Sequence, residues 1–194
     1  MVKVRTDSLD FDLKGKTIAF ATDTVFGIGA LLDDAEAINK IFHLKKRDYS
    51  KPLAVLVSSI DEAQELVNGD ISNISKFWPG AVTFILPKRG VSDLVTSGYD
   101  TVGIRIPNSK VALRVLSTFG PMAVTSVNLS GESSATTLKE ILNFDIDYVV
   151  VDDEKSEGIP STVVDLVEEP VILRQGSVSL EELKKEFPNI KINE

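Results

Sequence analysis

The sequence predicts an α/β domain: one twisted mixed sheet with flanking helices. Three observations carry that expectation. Short apolar runs of strand length alternate along the chain with segments whose apolar residues recur at helical spacing. The last strands are joined by loops too short for crossover helices, so part of the sheet has to be antiparallel. The 194 residues, 43% hydrophobic and 26% charged, suit a single domain over 1–194 with a sizeable core.

Taken in order, the run over 17–21 is a buried strand that ends in the polar, glycine-containing segment 22–29. Asp34 is an N-cap for a helix on which Ala35, Ala37, Ile38, Ile41, Phe42 and Leu44 recur at helical spacing. Lys45 and Lys46 complement the dipole at its other end. A strand over 53–57 precedes helical patterns over 60–66 and 71–78, and Pro79-Gly80 marks a turn into a strand over 81–86. A strand over 101–106, a helix over 110–119, a strand over 122–127 and a helix over 138–143 follow. Strands over 148–151, 162–166 and 171–173 and a terminal helix over 180–187 complete the pattern. No internal repeat, low-complexity stretch or long linker divides the chain.

Composition narrows the function. The 21 Lys+Arg against 29 Asp+Glu leave a net charge of −8, which disfavours blanket affinity for nucleic acid but permits a local basic patch. With no cysteine there is no disulfide framework, thiolate metal site or cysteine nucleophile. The single histidine, His43, rules out a multi-histidine metal site and leaves a Ser-His-Asp triad only if it is itself the base. No stretch approaches 18 consecutive apolar residues, and the first twelve residues lack the apolar region of a signal peptide, so the expected compartment is the cytoplasm.

Four polar segments lie near strand ends, where open α/β sheets tend to bind ligands. In the segment 22–29, two hydroxyls, a carboxylate and two glycines could hold a small polar ligand, or form only a tight turn. It carries neither the P-loop nor the dinucleotide glycine pattern. The segment 45–52 has cations at Lys45, Lys46, Arg47 and Lys51; these suit phosphates or a carboxylate, unless they are a solvated charge run. In Val102-Gly-Ile-Arg-Ile-Pro107 an arginine sits inside an apolar strand. Arg105 either pairs with an internal carboxylate or is held ready for an anionic group. The segment 124–134 offers hydroxyls and an amide for hydrogen bonding. Arg174, between an apolar strand and a glycine, repeats the Arg105 question. His43 reads as a surface residue and Trp78 as a core or turn anchor. Hydroxyls, amides and cations without a nucleophile–base pair favour binding anionic substrates and catalysis by positioning and charge neutralisation, as in nucleotidyl transfer.

These segments, with Lys51-Pro-Leu53, Trp78-Pro-Gly80, Ser126-Val-Asn-Leu-Ser-Gly131, Ser161-Thr-Val-Val-Asp-Leu166 and Ile172-Leu-Arg174, occur in the order of the signature blocks of the YrdC-like threonylcarbamoyl-AMP synthase family, which the chain resembles from about residue 16 to residue 176. The resemblance implies a fold with a large concave, positively lined cavity. It also implies condensation of L-threonine, bicarbonate and ATP, with magnesium, to L-threonylcarbamoyladenylate and pyrophosphate. Partner proteins would then transfer the threonylcarbamoyl group to tRNA, with room for a weak direct tRNA contact. Carried over residue by residue, it implies threonine binding by Thr22, Thr24, Arg105 and Ser161. ATP binding would fall to Lys45, Arg47, Lys51, Thr101, Ser126, Asn128, Ser134 and Arg174. No residue is implied as a nucleophile or base; Lys45, Arg47 and Arg174 would neutralise charge. The sequence departs from the family pattern at Ala21 (Pro), Phe26 (Tyr), Leu56 (His), Pro160 (Glu) and Gln175 (Pro). It resembles the short, single-domain branch. Two other functions fit less well: an RNA-binding module of the same fold without activity, opposed by the net charge, and a carbamoyl-transferring domain of hydrogenase-maturation type, opposed by the absence of cysteine and attached zinc-finger regions.

Overall fold

In the computed structural model, residues 1–129, 133–152 and 154–193 are described; Ser130 and Gly131 of the fourth polar segment, with Glu132, lie outside the described residues. The order of elements is β1 (Val2–Val4), β2 (Ile18–Phe20), β3 (Gly27–Leu31), α1 (Ala35–Lys45), β4 (Ala54–Leu56) and α2 (Ile60–Glu65). After a 3₁₀ turn at Ser75–Phe77 come β5 (Val82–Pro87), α3 (Asp93–Thr96), β6 (Thr101–Arg105), α4 (Lys110–Phe119) and β7 (Met122–Ser126). The chain ends with α5 (Leu138–Ile141), β8 (Tyr148–Val150), β9 (Thr162–Asp165), β10 (Val171–Arg174), α6 (Leu180–Lys184) and β11 (Lys191–Ile192).

Among the described residues, these strands form one mixed sheet in the order β1-β8-β2-β3-β7-β4-β6-β5-β9-β10-β11. The antiparallel β9–β10 pair realises the short late connection read from the sequence. Alternation of side chains gives the sheet two unlike faces. On one, Ala30, Ala123, Val55, Ile104, Phe84, Val164 and Ile172 stand in register across seven strands, each 0% exposed. Ile38, Ile41 and Phe42 of α1, with Ala63, Val95, Ile141 and Leu183 from four other helices, close the larger core over this face. Each Val, Leu, Ile or Phe among these contributes about 1.5–3 kcal/mol by burial.

The opposite face is only half covered. Val111, Ala112, Val115 and Leu116 of α4, joined by Leu9 and Leu13, pack on Ile18, Phe20, Met122 and Val124 in a second core. Toward β4, β6 and β5 the in-register residues are Ala54, Gly103 and Ile85, so the first two of these strands carry small residues where their neighbours carry large ones. That uncovered stretch is the floor of a cavity.

Two sequence expectations are corrected. The segment 71–78 is not an α-helix. Its buried pair Ile71 and Ile74 has the spacing of three that a 3₁₀ turn aligns, and Phe77 and Trp78 donate to the carbonyls of Ile74 and Ser75. Pro79 then requires an extended residue before it, which Trp78 supplies at φ −123°, ψ 144°. The end of the segment 22–29 is strand rather than loop. Gly27 and Gly29 are packing glycines: a Cβ at Gly27 would lie 2.8 Å from Val124 Cγ1. β1, β11 and α3, two to four residues each, were too short to leave a periodic signal.

Candidate functional site

The uncovered half-face opens into a cavity of about 300 Å³, at the lower end of the range for small-ligand sites. Its walls come from the ends of β3, β4, β6 and β7, from β5, β9 and β10, and from the turn before β6. Gly103 lies on its floor, where an added Cβ would make ordinary contacts with Thr83 Cγ2 at 3.4 Å and Ile85 Cγ1 at 3.9 Å. Neither a tight turn nor a close packing partner demands glycine there; a side chain would project into the cavity.

At one end stands Arg105, 4% exposed. Its Nε donates to Gly80 O at 2.8 Å, its Nη1 to Thr24 Oγ1 at 2.8 Å, and its Nη2 to Asp23 Oδ1 in an ion pair. Burial pulls the guanidinium below its ordinary pKa, and the Asp23 carboxylate pushes it back. Three of the five N–H groups are thus committed within the protein, and the side chain lines the cavity. Thr22 Oγ1 donates to Val25 O at 2.6 Å, so in its 3.0 Å contact with Thr24 the hydrogen comes from Thr24. The loop 156–158 braces this corner. Ser156 Oγ donates to Thr22 O, Glu157 N to Asp23 O and Gly158 N to Thr24 O.

The adjoining wall joins Ser161 and Thr83, whose hydroxyls lie 2.9 Å apart, to Arg174, whose Nη2 donates to Ser161 O at 2.9 Å. Their two segments interlock at Gly176, where a Cβ would lie 2.2 Å from Pro160 O. Gln175 donates to Val178 O at 2.6 Å in the same turn.

At the other end α1 delivers its cations. The helix starts at Asp34, which accepts from Ala37 N at 3.0 Å, and ends where Lys46 turns left-handed at φ 48°. That turn leaves Lys45 facing inward and Arg47 just beyond the helix. Lys45, 2% exposed, donates through Nζ to Ser126 O, to Asn128 O at 2.8 Å and to Asn128 Oδ1 at 2.6 Å. Burial, and secondarily repulsion from Arg47, lower its pKa from 10.5 to about 7. Arg47 donates to Lys51 O at 3.1 Å and Pro52 O at 2.8 Å and lines the cavity; burial lowers its pKa and that of Arg174 as well. Ser126 Oγ donates to Asn128 Oδ1 at 2.6 Å.

The structure therefore brings Thr22, Thr24, Arg47, Thr101, Arg105, Ser126, Ser134, Ser161 and Arg174 to one cavity wall or another. Lys45 and Asn128 stand directly behind Ser126, and the side chain of Lys51 is exposed and away from the lining. Leu56, beside Arg105 in register, presents an apolar side chain to the same space. His43 is on the outer face of α1, its Nδ1 2.8 Å from Asn39 O. Sequence reasoning gave no role to Thr83, Tyr99 or Gly103, and counted Asp23 only as the carboxylate of a segment that could hold a small polar ligand, not as the partner of Arg105. Asp23 carries a signal in hindsight, being the carboxylate nearest a strand end that faces a buried arginine. Among the described residues no helix is long and apolar enough to cross a membrane, and no three His, Cys, Asp or Glu side chains converge as a metal site would require.

A family model described as "Telomere recombination", that of Sua5, YciO and YrdC, matches residues 12–176. The chain is 35% identical over 193 residues to the threonylcarbamoyl-AMP synthase of Pyrococcus abyssi, covering 94% of this chain and 57% of that protein. It is 34% identical over 182 residues to a putative threonylcarbamoyl-AMP synthase of Methanocaldococcus jannaschii, covering 89% and 86%. The chain thus spans little more than half the length of the Pyrococcus relative. Among solved structures, P. abyssi Sua5 complexed with L-threonine superposes with a TM-score of 0.90 at 33% identity, over 99% of this chain and 61% of that one. E. coli YciO, at 22% identity and a TM-score of 0.81 over 96% and 97%, shares the fold. On the extent of these matches, the chain belongs to the Sua5/YciO/YrdC family.

Proposed function

We propose that the protein is a threonylcarbamoyl-AMP synthase, forming L-threonylcarbamoyladenylate and pyrophosphate from L-threonine, bicarbonate and ATP. The observation that carries this reading is the polarity of the cavity: a buried arginine–hydroxyl corner at one end, and Arg47 with Ser126 at the other. A corner built of Arg105, Thr24 and Ser161 suits the carboxylate and hydroxyl of a small amino acid. A cationic end suits a polyphosphate. The names of the two relatives, one of them a putative threonylcarbamoyl-AMP synthase, and the existence of a threonine complex of P. abyssi Sua5 support a substrate pair of this kind.

In this reading the threonine amine and bicarbonate combine to a carbamate with loss of water. A carbamate oxygen attacks the α-phosphorus of ATP, and the bond from that phosphorus to the β-phosphate bridging oxygen breaks, releasing pyrophosphate. Arg105 with Thr24 anchors the amino acid, and Ser126 and Arg47 hold the phosphates. Lys45 fixes the Ser126–Asn128 segment and adds charge behind it, while Arg174 and Ser161 close the wall between the two ends. The work of these residues is alignment and neutralisation of charge developing on the leaving group. Magnesium would come with ATP as its counter-ion and would supply further charge neutralisation at the phosphates, beside Arg47. The product would supply partner proteins that transfer the threonylcarbamoyl group to tRNA, in the cytoplasm.

The test is incubation with ATP, bicarbonate and each of threonine, serine, valine and alanine, with mass detection of the adenylate. The threonyl product should dominate. A different aminoacyl-carbamoyl adenylate as the main species would reassign the substrate, and Leu56 is the first residue to examine in that event. If no adenylate forms with any amino acid, the assignment fails.

A further inference from the structure

Tyr99 is 57% exposed, yet it lines the cavity and is the sole aromatic residue among the described residues that do. It takes part in no ring–ring contact among the described residues, so packing within the fold does not account for its position. Its mount is firmly held. The turn before β6 runs through two successive left-handed residues, Ser97 at φ 56° and Gly98 at φ 80°, the first of which is unfavourable for a residue with a Cβ. Tyr99 N closes that turn onto Thr96 O at 3.1 Å. Lys88, the residue after β5, clamps it: its Nζ donates to Asp93 Oδ1 at 2.5 Å and Thr96 Oγ1 at 2.9 Å, and its backbone N to Asp100 O at 2.9 Å.

The same turn is fastened to the cationic end of the cavity. Leu53 N donates to Val95 O at 2.9 Å, joining α3 to the segment whose carbonyls at Lys51 and Pro52 hold Arg47. The ring of Tyr99, the apolar Pro52, Leu53 and Val102, and the Arg47 guanidinium thus belong to one braced frame around one end of the cavity. A rigidly mounted aromatic face next to apolar side chains and a cation matches a flat heterocycle that carries phosphates.

We propose that Tyr99 is the stacking surface for the purine base of the bound nucleotide, which makes it an affinity-determining residue of the site. The inference rests on the nucleotide reading above. The base lies against the Tyr99 ring and the Pro52–Leu53 side, and the phosphates run toward Arg47.

The experiment is calorimetric titration, at equal magnesium, of wild type, Tyr99→Ala and Tyr99→Phe with ATP and with inorganic tripolyphosphate, which has the phosphates but no base. Tyr99→Ala should weaken ATP about tenfold, within the range of aromatic–base stacking measured by alanine substitution, and leave tripolyphosphate affinity unchanged. Tyr99→Phe, which keeps the ring, should bind ATP as wild type does. Equal ATP affinity in wild type and Tyr99→Ala would overturn the proposal while leaving the nucleotide reading standing. A parallel loss of ATP and tripolyphosphate would also overturn it, because the ring would then be serving the shape of the phosphate end. Wild type that binds neither compound removes the nucleotide reading and this inference together.

Discussion

One face of the sheet is built in two ways. Over β2, β3 and β7 it is sealed: Leu116 and Val115 of α4 are 0% exposed against Ile18, Phe20 and Met122. Over β4, β6 and β5 the same face carries Ala54, Gly103 and Thr83 and stays open. β7 belongs to both, with Met122 under α4 and Ser126 at the cavity. The difference lies in side-chain volume and polarity, not in backbone architecture, because one continuous hydrogen-bond ladder runs beneath both halves. Stability is concentrated where large apolar side chains meet, and binding where the floor is small and the walls carry donors. A substitution in one half should therefore leave the other's property intact.

The largest expected effect is in the sealed half. Leu116→Ala should cost about 2–5 kcal/mol of stability in denaturant unfolding, while adenylate formed per folded molecule is unchanged. A matching loss of specific activity would show that the halves are not independent. In the open half, Arg47→Ala should weaken ATP by roughly tenfold or more, since a charge-assisted contact contributes about 1.5–3 kcal/mol, with the fold retained. Unchanged ATP affinity would leave Arg47 only as a brace for the carbonyls of Lys51 and Pro52.

Arg105→Lys sharpens the comparison, because Arg105 has both kinds of role. Lysine keeps the charge opposite Asp23 but loses the fork that could take a carboxylate while holding Thr24. The threonine concentration for half-maximal rate should rise roughly tenfold, the effect of about 1.5 kcal/mol for one lost charge-assisted hydrogen bond, with ATP binding nearly intact. If thermal stability falls and threonine binding is spared, Arg105 is an internal ion-pair partner only.

Lys45 gives a pH signature. Its folded pKa of about 7 lies below the ordinary 10.5, so between those values the unfolded chain binds more protons. This group's contribution to stability therefore grows as pH rises from about 7 toward 10.5. Triphosphate nearby would favour the ammonium form and raise the pKa. ATP binding at pH 8 should then take up close to one proton, read from calorimetry in buffers of different ionisation enthalpy; no uptake would place the phosphates away from Lys45. The smallest effect belongs to His43, exposed on the far side of α1. His43→Ala should leave the rate within about twofold, and a large loss with an intact fold would bring back acid–base chemistry.

The helices of two or more amphipathic turns were legible in the sequence: α1 is capped by Asp34 as expected, and α4 spans the expected 110–119, with Ser109 as a cap that went unread. β3 was not, because Gly27 and Gly29 there answer to Val124 on the next strand, a contact that no local pattern reveals. The site divides the same way. Arg105, Arg47 and Arg174 stood out as charges in or beside apolar strands. Asp23, whose importance is its ion pair with a residue 82 positions away, and Tyr99, aimed by the turn that Lys88 clamps, depend on tertiary placement. Which of Arg105's two readings applied could not be settled from the chain, and the structure gives it both an internal carboxylate and a place in the cavity wall.

The central claim is that one cavity couples an amino acid at the Arg105 end to a nucleotide at the Arg47 end. Pyrophosphate release from ATP measures that coupling most directly, followed with threonine and bicarbonate supplied together, singly or not at all. The account predicts release only when both are present, in one-to-one ratio with adenylate. Pyrophosphate release that proceeds at the same rate without threonine, or ATP cleavage that yields ADP and phosphate instead, would contradict it.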